Sequence, residues 1–230
     1  MLKLAPILLA LAYAFLMYRF SVWRTHRMLD EKSRPLRDPG ILAVAGRLAR
    51  ALDLPAIRVH VFDVEPVNGL AAPDGRIFLT EGFLRKYRAG AVSADELGAV
   101  IAHELGHVAL GHTRRRMIDF TGANAVFVLL TAFLSRFVPF LGVFIANAIA
   151  GALMARMSRK DEFEADAYAS ALLIKAGIGT APQRSLFQKL GALTGTRESG
   201  AAWLMSHPPL AERIAAIEAN EARWHDAEAR

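Results

Sequence analysis

Two histidines and a glutamate in the stretch His103-Glu104-Leu-Gly-His107 have the types and the spacing of a metal site with its own base. Residues four apart on a helix lie on one face, so both imidazoles can bind one metal ion. Glu104 lies about 100° round the helix from His103, where its carboxylate can accept a proton from an attacking water. Zinc-assisted hydrolysis is the chemistry indicated. The pattern also fits a helix with two core histidines and a surface glutamate, so a third ligand has to decide.

The residues before this motif predict the helix that carries it. Ser93 is a good N-cap, and Glu96 follows three positions later, as in a capping box. Leu97, Val100 and Ile101 then recur at helical spacing.

A catalytic zinc ion takes three protein ligands and leaves one position for water. His112 follows His107 at the wrong distance for the third histidine of the extended motif, and we interpret it as a helix-end residue near terminal carbonyls. Glu162 can complete the site, and Asp166, one helical turn later, can accept the free ring N–H of a ligand histidine. Glu164 is expected to be solvated. These acids also fit the acidic first turn of a helix, which the macrodipole favours.

The chain resembles a known family in three blocks that occur in the family order. They are His-Glu-Leu-Gly-His at 103–107, Ser-Arg-x-x-Glu-Phe-x-Ala-Asp at 158–166 and Ser-His-Pro-Pro-Leu-x-x-Arg-Ile at 206–214. Together they are similar to the HtpX-like and CAAX prenyl protease family of membrane zinc metallopeptidases. The resemblance implies that one Zn²⁺ per chain is bound by His103, His107 and Glu162, and that Glu104 is the catalytic base. It also implies that Asp166 orients a ligand histidine and that His207 lies near the substrate carbonyl.

Two short strands are predicted before the metal helix, at 67–72 and 76–80, joined by the turn Pro73-Asp74-Gly75. This region resembles the Asn-Ala segment of the family, an edge strand beside the metal helix, although Gly69 stands where the family has Ala. A peptide substrate can pair with such an edge through main-chain hydrogen bonds. Asn68 is then either a residue that binds the substrate backbone or a plain turn residue, and the sequence favours neither.

The composition fits one globular domain with added membrane segments. The chain has 230 residues, of which 53% are hydrophobic, and it has no cysteine, which excludes a disulfide framework and thiol catalysis. The formal charge of +6 comes from basic residues that flank apolar stretches, without the interleaved aromatic residues of a nucleic-acid surface. We therefore expect a lipid bilayer as a partner and no nucleic acid.

An N-terminal transmembrane anchor is expected at residues 1–24, because an apolar run there is long enough to cross a bilayer once Arg19 reaches the interface. A cleaved signal peptide is the alternative, since Ala12-Tyr13-Ala14 resembles a cleavage site. A linker is expected at 25–40 and the protease domain at 41–230. Basic residues concentrated after the anchor favour a bacterial-type inner membrane with the domain in the cytoplasm; the periplasmic side is the alternative.

A second apolar stretch, residues 118–155, separates the metal-binding blocks. Arg136 and Pro139 divide it into segments 118–135 and 138–155, each close to the minimum length for a membrane crossing. The stretch is either a hairpin inserted in the membrane or a pair of apolar helices that forms a lid on the domain or lies in the interface.

These patterns predict an α+β fold, mainly helical: a zincin-like metalloprotease domain with a small β-sheet beside the metal helix, plus the N-terminal transmembrane helix. We expect a membrane-anchored zinc metalloendopeptidase that cleaves membrane or misfolded proteins, since the resemblance implies protein quality control. The alternative is a non-catalytic membrane adaptor or chaperone-like binder with a structural zinc. Such a site would normally have a fourth protein ligand, often Cys, and the chain has no Cys.

Overall fold

A computed structural model describes residues 5–72, 74–138, 141–193 and 208–228. The architecture is mainly helical with one small sheet, which confirms that part of the predicted fold class. In chain order the elements are α1 Ala5–Glu31, β1 Ser33–Pro35, α2 Pro39–Ala51, β2 Val59–Phe62, β3 Gly69–Ala71, β4 Ile77–Thr80, α3 Glu81–Arg88, α4 Ala94–Ala109, α5 His112–Phe137, α6 Leu141–Lys175, α7 Ala181–Leu193 and α8 Leu210–Glu228.

Four strands form a mixed sheet in the order β1-β2-β4-β3. β2 and β4 are parallel, whereas β1 and β3 pair antiparallel with them at the two edges. β4 is buried on both faces, because Ile77 and Leu79 point into the main core while Phe78 belongs to a smaller cluster on the other side. β3 and β4 form the predicted hairpin, whose turn residue Pro73 lies outside the described residues. β3 is thus an edge strand, and it contacts α4.

The segment expected to be a linker, residues 25–40, has regular structure instead. The end of α1 packs on the sheet, since Leu29 is buried in one cluster with Phe62. Residues Ser33–Pro35 then pair with β2, and Pro39 starts α2. The prolines indicated a linker, but proline is also compatible with an edge strand and with the first turn of a helix.

The metal helix α4 lies between α2, α6, α7 and strand β3. Its start confirms the predicted capping box: Ser93 Oγ accepts a hydrogen bond from Glu96 N, and the Glu96 carboxylate accepts one from Ser93 N. Leu97 and Ile101 are fully buried in the main core. This packing fixes α4 as the frame on which the site is built.

Helices α5 and α6 pack against each other and carry most of the second apolar stretch. Large apolar side chains point outward from both helices, and Leu129 is 70% and Phe144 71% exposed. Among the described residues, one helix is long and apolar enough to cross a membrane, Leu141–Lys175, and Phe127–Phe137 is a shorter apolar segment.

Candidate metal centre

Three side chains that the sequence analysis singled out as zinc ligands meet in space. His103 Nε2 lies 3.1 Å from His107 Nε2 and 3.4 Å from Glu162 Oε2, and His107 Nε2 lies 3.5 Å from Glu162 Oε1. Ligand atoms on a tetrahedral zinc ion with bonds of about 2.1 Å stand about 3.4 Å apart. The donors therefore fit zinc both in their separations and in their chemical type.

Two helices supply these donors, and their close approach depends on a residue without a side chain. α4 presents both imidazoles on one face, and α6 presents Glu162. A Cβ on Gly106 would lie 3.1 Å from the Cα and the carbonyl oxygen of Ala165, so glycine lets the helices pack tightly there. Glu162 is only 1% exposed, and a carboxylate so deeply buried requires partners such as imidazoles or a metal ion.

The ring of His103, the first candidate ligand, is oriented by an ion pair that contacts its Nδ1, the nitrogen facing away from the candidate metal position. Its Nδ1 lies 2.9 Å from Asp166 Oδ1. Arg213 of α8 donates to both oxygens of Asp166, from Nε and from Nη2, at 2.6 Å each. Both residues of this ion pair are buried, and Arg213 Nη1 also lies 3.8 Å from Glu162 Oε2. The guanidinium thus faces both buried acids of α6.

The charges around His103 bear directly on metal binding. Burial alone would lower the pKa of His103, but hydrogen bonds to Asp166 and Glu162 outweigh it and raise the pKa to about 9. Burial alone would raise the pKa of Asp166, but the charge and hydrogen bonds of Arg213 lower it, so the carboxylate stays ionised. A ligand imidazole must be neutral, so a metal ion and a proton compete for His103.

The second candidate ligand, His107, contacts His112. His112 Nδ1 lies 2.7 Å from His107 Nδ1, and His112 Nε2 lies 3.2 Å from Glu164 Oε2. His112 is 1% exposed and lies at a helix end, as expected, because it starts α5; its ring, however, contacts His107 and Glu164 and not the terminal carbonyls. Gly111 has φ 66°, a left-handed conformation, and it reverses the chain so that His112 returns to α4. A glycine directly before the histidine was the sequence signal for this break.

Glu164 is not a freely solvated side chain either. It accepts a hydrogen bond from Arg115 Nη1 at 2.5 Å, and the same nitrogen donates to Asp161 Oδ1 at 3.0 Å. Burial alone would raise the pKa of Glu164, but the hydrogen bonds from Arg115 and His112 lower it. Glu164 is 32% exposed and so partly solvated, and in addition α5 lies alongside α6 and brings a guanidinium to this acid.

A pocket with largely apolar walls opens beside His103 and the proposed base, Glu104. The edge strand forms one wall through Asn68 and Gly69, while α7 forms another through three apolar residues, Leu186, Phe187 and Leu190. The position that a Cβ would take on Gly69 lies 3.4 Å from Glu104 Oε1, so the edge strand and the carboxylate are neighbours.

Asn68 is exposed at the rim of this pocket. Its side-chain oxygen accepts a hydrogen bond from Gly69 N, and its backbone bonds to Thr80 on the neighbouring strand. The backbone of Asn68 thus extends the pairing of β3 with β4 beside the site, and its role in binding the substrate backbone stays a prediction. His207, expected near the substrate carbonyl, lies outside the described residues.

Comparisons with known proteins identify the family to which the chain is similar. A sequence profile of peptidase family M48 matches residues 35–221. Metalloprotease LoiP of Escherichia coli strain K12 is 30% identical over 186 residues, which cover 75% of this chain and 66% of that protein. Protease HtpX of Hahella chejuensis is 26% identical over 234 residues, covering 85% of this chain and 77% of that protein. The fold is similar to the crystal structure of S. mikatae Ste24p, with a TM-score of 0.51 and 22% identity over 92% of this chain and 56% of that chain.

Proposed function

The chain belongs to peptidase family M48 and is a membrane-associated zinc metalloendopeptidase, and we propose that His103, His107 and Glu162 hold its single zinc ion. The family resemblance drawn from three sequence blocks is thereby confirmed. The observation that carries the proposed ligand set is the convergence of three donor atoms, 3.1, 3.4 and 3.5 Å apart, from two helices distant in the chain. The reaction is hydrolysis of peptide bonds in protein or peptide substrates.

When bound, zinc acidifies a water molecule and polarises the scissile carbonyl. Glu104, beside the ligand His103 on α4, accepts a proton from the attacking water at its carboxylate and delivers it to the leaving amine nitrogen. Asp166 keeps a proton on His103 Nδ1, so that the lone pair of Nε2 points to the metal position. Arg213 keeps Asp166 ionised. His207 donates a hydrogen bond to the developing oxyanion, an interaction commonly worth about 3 kcal/mol.

The substrate backbone binds along β3 in this proposal. β3 is a sheet edge next to Glu104, and a peptide paired with it would pass the carboxylate, with Asn68 at hand to bind its main chain. Main-chain pairing tolerates many sequences, whereas the pocket beside α7 favours an apolar side chain. Misfolded or membrane proteins offer such apolar segments, which supports a role in protein quality control.

Two regions anchor the enzyme to lipid in this proposal, residues 1–24 and the hairpin 118–155. Among the described side chains of these two regions, several large apolar ones are exposed: Phe15 at 61%, Leu16 at 64%, Leu129 at 70% and Phe144 at 71%. A lid packed on the domain would bury its apolar side chains, so this exposure favours insertion in a membrane. The basic residues at the ends of both regions favour a cytoplasmic catalytic domain at a bacterial-type inner membrane.

The proposal is tested with Glu104→Gln, assayed for casein cleavage in detergent alongside metal analysis. We expect the variant to retain one zinc ion per chain and to lose activity by about 10²- to 10⁴-fold, the usual contribution of a general base. A chelator should abolish cleavage by the unaltered enzyme. Glu218→Gln, an exposed position on α8, is the matched control and should behave as the parent.

Loss of zinc from Glu104→Gln, or activity equal to that of the parent, would contradict the assignment of the base. A non-catalytic adaptor would show no cleavage even with zinc bound and would need a fourth protein ligand. In the part of the chain that the structure describes, the donor group around the proposed zinc position contains three residues.

A further inference from the structure

We propose that His112 is a positioning residue for the zinc ligand His107, an inference that rests on the proposed ligand set. The two Nδ1 atoms are 2.7 Å apart, and the rings meet edge to face, with centroids 4.9 Å apart and planes at 71°. His112 is 1% exposed, so water does not compete for this contact. The ring of His112 therefore sets both the rotation and the tautomer of its neighbour.

Hydrogen-bond chemistry allows one arrangement of protons along this chain of contacts. When His107 binds a metal ion through Nε2, its Nδ1 carries a hydrogen and donates it. A neutral His112 must then accept at Nδ1 and carry its own hydrogen on Nε2. That hydrogen faces Glu164 Oε2, 3.2 Å away, which accepts it. The relay thus runs from the ligand through a second imidazole to a carboxylate.

The far end of the relay is fixed by charge. Arg115 of α5 donates to Glu164 at 2.5 Å and to Asp161 at 3.0 Å, and Lys160 lies 3.6 Å from Glu164. The group formed by His112, Asp161 and Glu164 has the composition of a second cation site. The guanidinium, however, already supplies the positive charge between those acids, which favours a hydrogen-bond relay over a second metal ion.

The relay also determines which elements hold the second ligand. His112 is the first residue of α5, and Glu164 lies on α6 only two residues after the ligand Glu162. His107 of α4 is therefore tied to both helices of the apolar hairpin. Asp166 and Arg213, by contrast, connect His103 to α6 and α8.

Zinc affinity of the full-length chain in detergent, measured by competition with a chromophoric chelator at neutral pH, tests the proposal. His112→Phe keeps a ring of similar shape but removes the acceptor, and we expect zinc to bind about 10- to 100-fold more weakly. His112→Asn places an acceptor oxygen near the position of Nδ1, and it should restore affinity to within about threefold of the parent. Cobalt substitution should show an altered visible spectrum for His112→Phe and a parental one for His112→Asn.

Parental affinity and a parental cobalt spectrum in His112→Phe would overturn the proposal, because they would show that ring packing alone suffices. Equal weakening in both variants would also overturn it, because it would show that an acceptor at this position does not restore the site. Should His112→Phe not fold, Glu164→Ala breaks the same relay and should weaken zinc binding while the metal-free chain stays folded. A second metal equivalent in the parent that Glu164→Ala removes would identify a cation site instead. An unaltered chain that binds no zinc would overturn the proposed function itself, a result distinct from the others.

Discussion

The two histidines that we propose as zinc ligands are held by hydrogen-bond relays at different depths in the protein. His103 contacts Asp166 directly, and the buried Arg213 binds both carboxylate oxygens. His107 contacts a second ring, His112, before the relay reaches an acid and a guanidinium near the surface: Glu164, 32% exposed, and Arg115, 40% exposed. The same sequence of groups, imidazole to carboxylate to arginine, thus occurs once in the interior and once at the rim.

Similar contacts contribute different free energies to stability when one is buried and the other is exposed. Removing one partner from a buried ion pair leaves a charge without compensation in a medium of low dielectric constant. An exposed pair is screened by water and salt, and its loss costs little. We therefore expect the Asp166–Arg213 relay to stabilise the fold and the ligand together, and the His112–Glu164–Arg115 relay mainly to orient the ligand.

The largest effect is expected from Asp166→Asn. The variant removes the carboxylate that accepts both short Arg213 hydrogen bonds, and Glu162, 3.8 Å from Nη1, compensates the buried guanidinium only in part, so the free energy of unfolding should fall by about 3–5 kcal/mol. Denaturant unfolding of the metal-free chain in detergent measures this change. The double variant Asp166→Asn/Arg213→Met removes this under-compensated charge and should recover part of the loss. A change of less than about 1 kcal/mol in the single variant would remove the distinction between the two relays.

A pH titration of zinc affinity tests the effect of the buried relay on His103. The metal-free His103 has a pKa of about 9, above its ordinary value of 6.5, so it holds a proton that zinc must displace. The apparent dissociation constant should therefore decrease about tenfold per pH unit between about pH 7 and 8 and level off above about pH 9. Protonation of His103 also stabilises the metal-free fold, because folding raises the pKa of this group. The stabilisation is fully present below pH 6.5 and is lost as the pH rises through about 9. Affinity that does not change with pH in this window would contradict the raised pKa.

Substitution of Gly111, in the turn before His112, tests the relay from His107 through His112 to Glu164. A Cβ on Gly111 would meet nothing within 4 Å, so the cost of Gly111→Ala comes only from the left-handed backbone at φ 66°. We expect a loss of about 1–2 kcal/mol in the free energy of unfolding and a weaker zinc site. Gly111→Asn should cost less, because asparagine tolerates this conformation. Equal stability of Gly111→Ala and the parent would show that the turn can be made another way.

The smallest effect is expected from Arg115→Gln, which removes the guanidinium at the exposed end. The free energy of unfolding should fall far less than in Asp166→Asn, because water and salt screen this exposed pair. The difference from the parent should shrink in about 1 M salt, where the Debye length is about 3 Å. Denaturant unfolding at low and high salt measures both. A loss as large as that of Asp166→Asn would show that the rim relay is as strongly coupled as the buried one.

Local spacing was enough to predict much of this site. The capping box at Ser93, the helix that follows and the shared face of His103 and His107 depend only on the helical period, and the structure has all three. The family resemblance pointed to Glu162, which no local rule could connect to α4. These features need only nearby residues or a known pattern.

The errors concern contacts that depend on how distant elements meet. The partner of His112 was not predicted because a chain reversal at Gly111 sets it, and the ion pair of Glu164 was not predicted because Arg115 comes from another helix. The strand within residues 25–40, predicted as a linker, was missed because the pairing of β1 with β2 cannot be deduced from the prolines themselves. The periodicity of a sequence describes one helix or strand at a time, whereas each of these contacts lies between two elements.

The continuity of α6 has a mechanical consequence. The helix runs unbroken for 35 residues, with its apolar half at one end and Glu162 roughly 30 Å further along. Over this length, a tilt of about 2° of the apolar half displaces the carboxylate by about 1 Å. A misplacement of about 1 Å can cost a catalyst a factor of about 100 in rate. With the apolar half inserted in lipid, as we propose, a bilayer whose thickness changes the helix tilt would also change the geometry at which peptide bonds are cut.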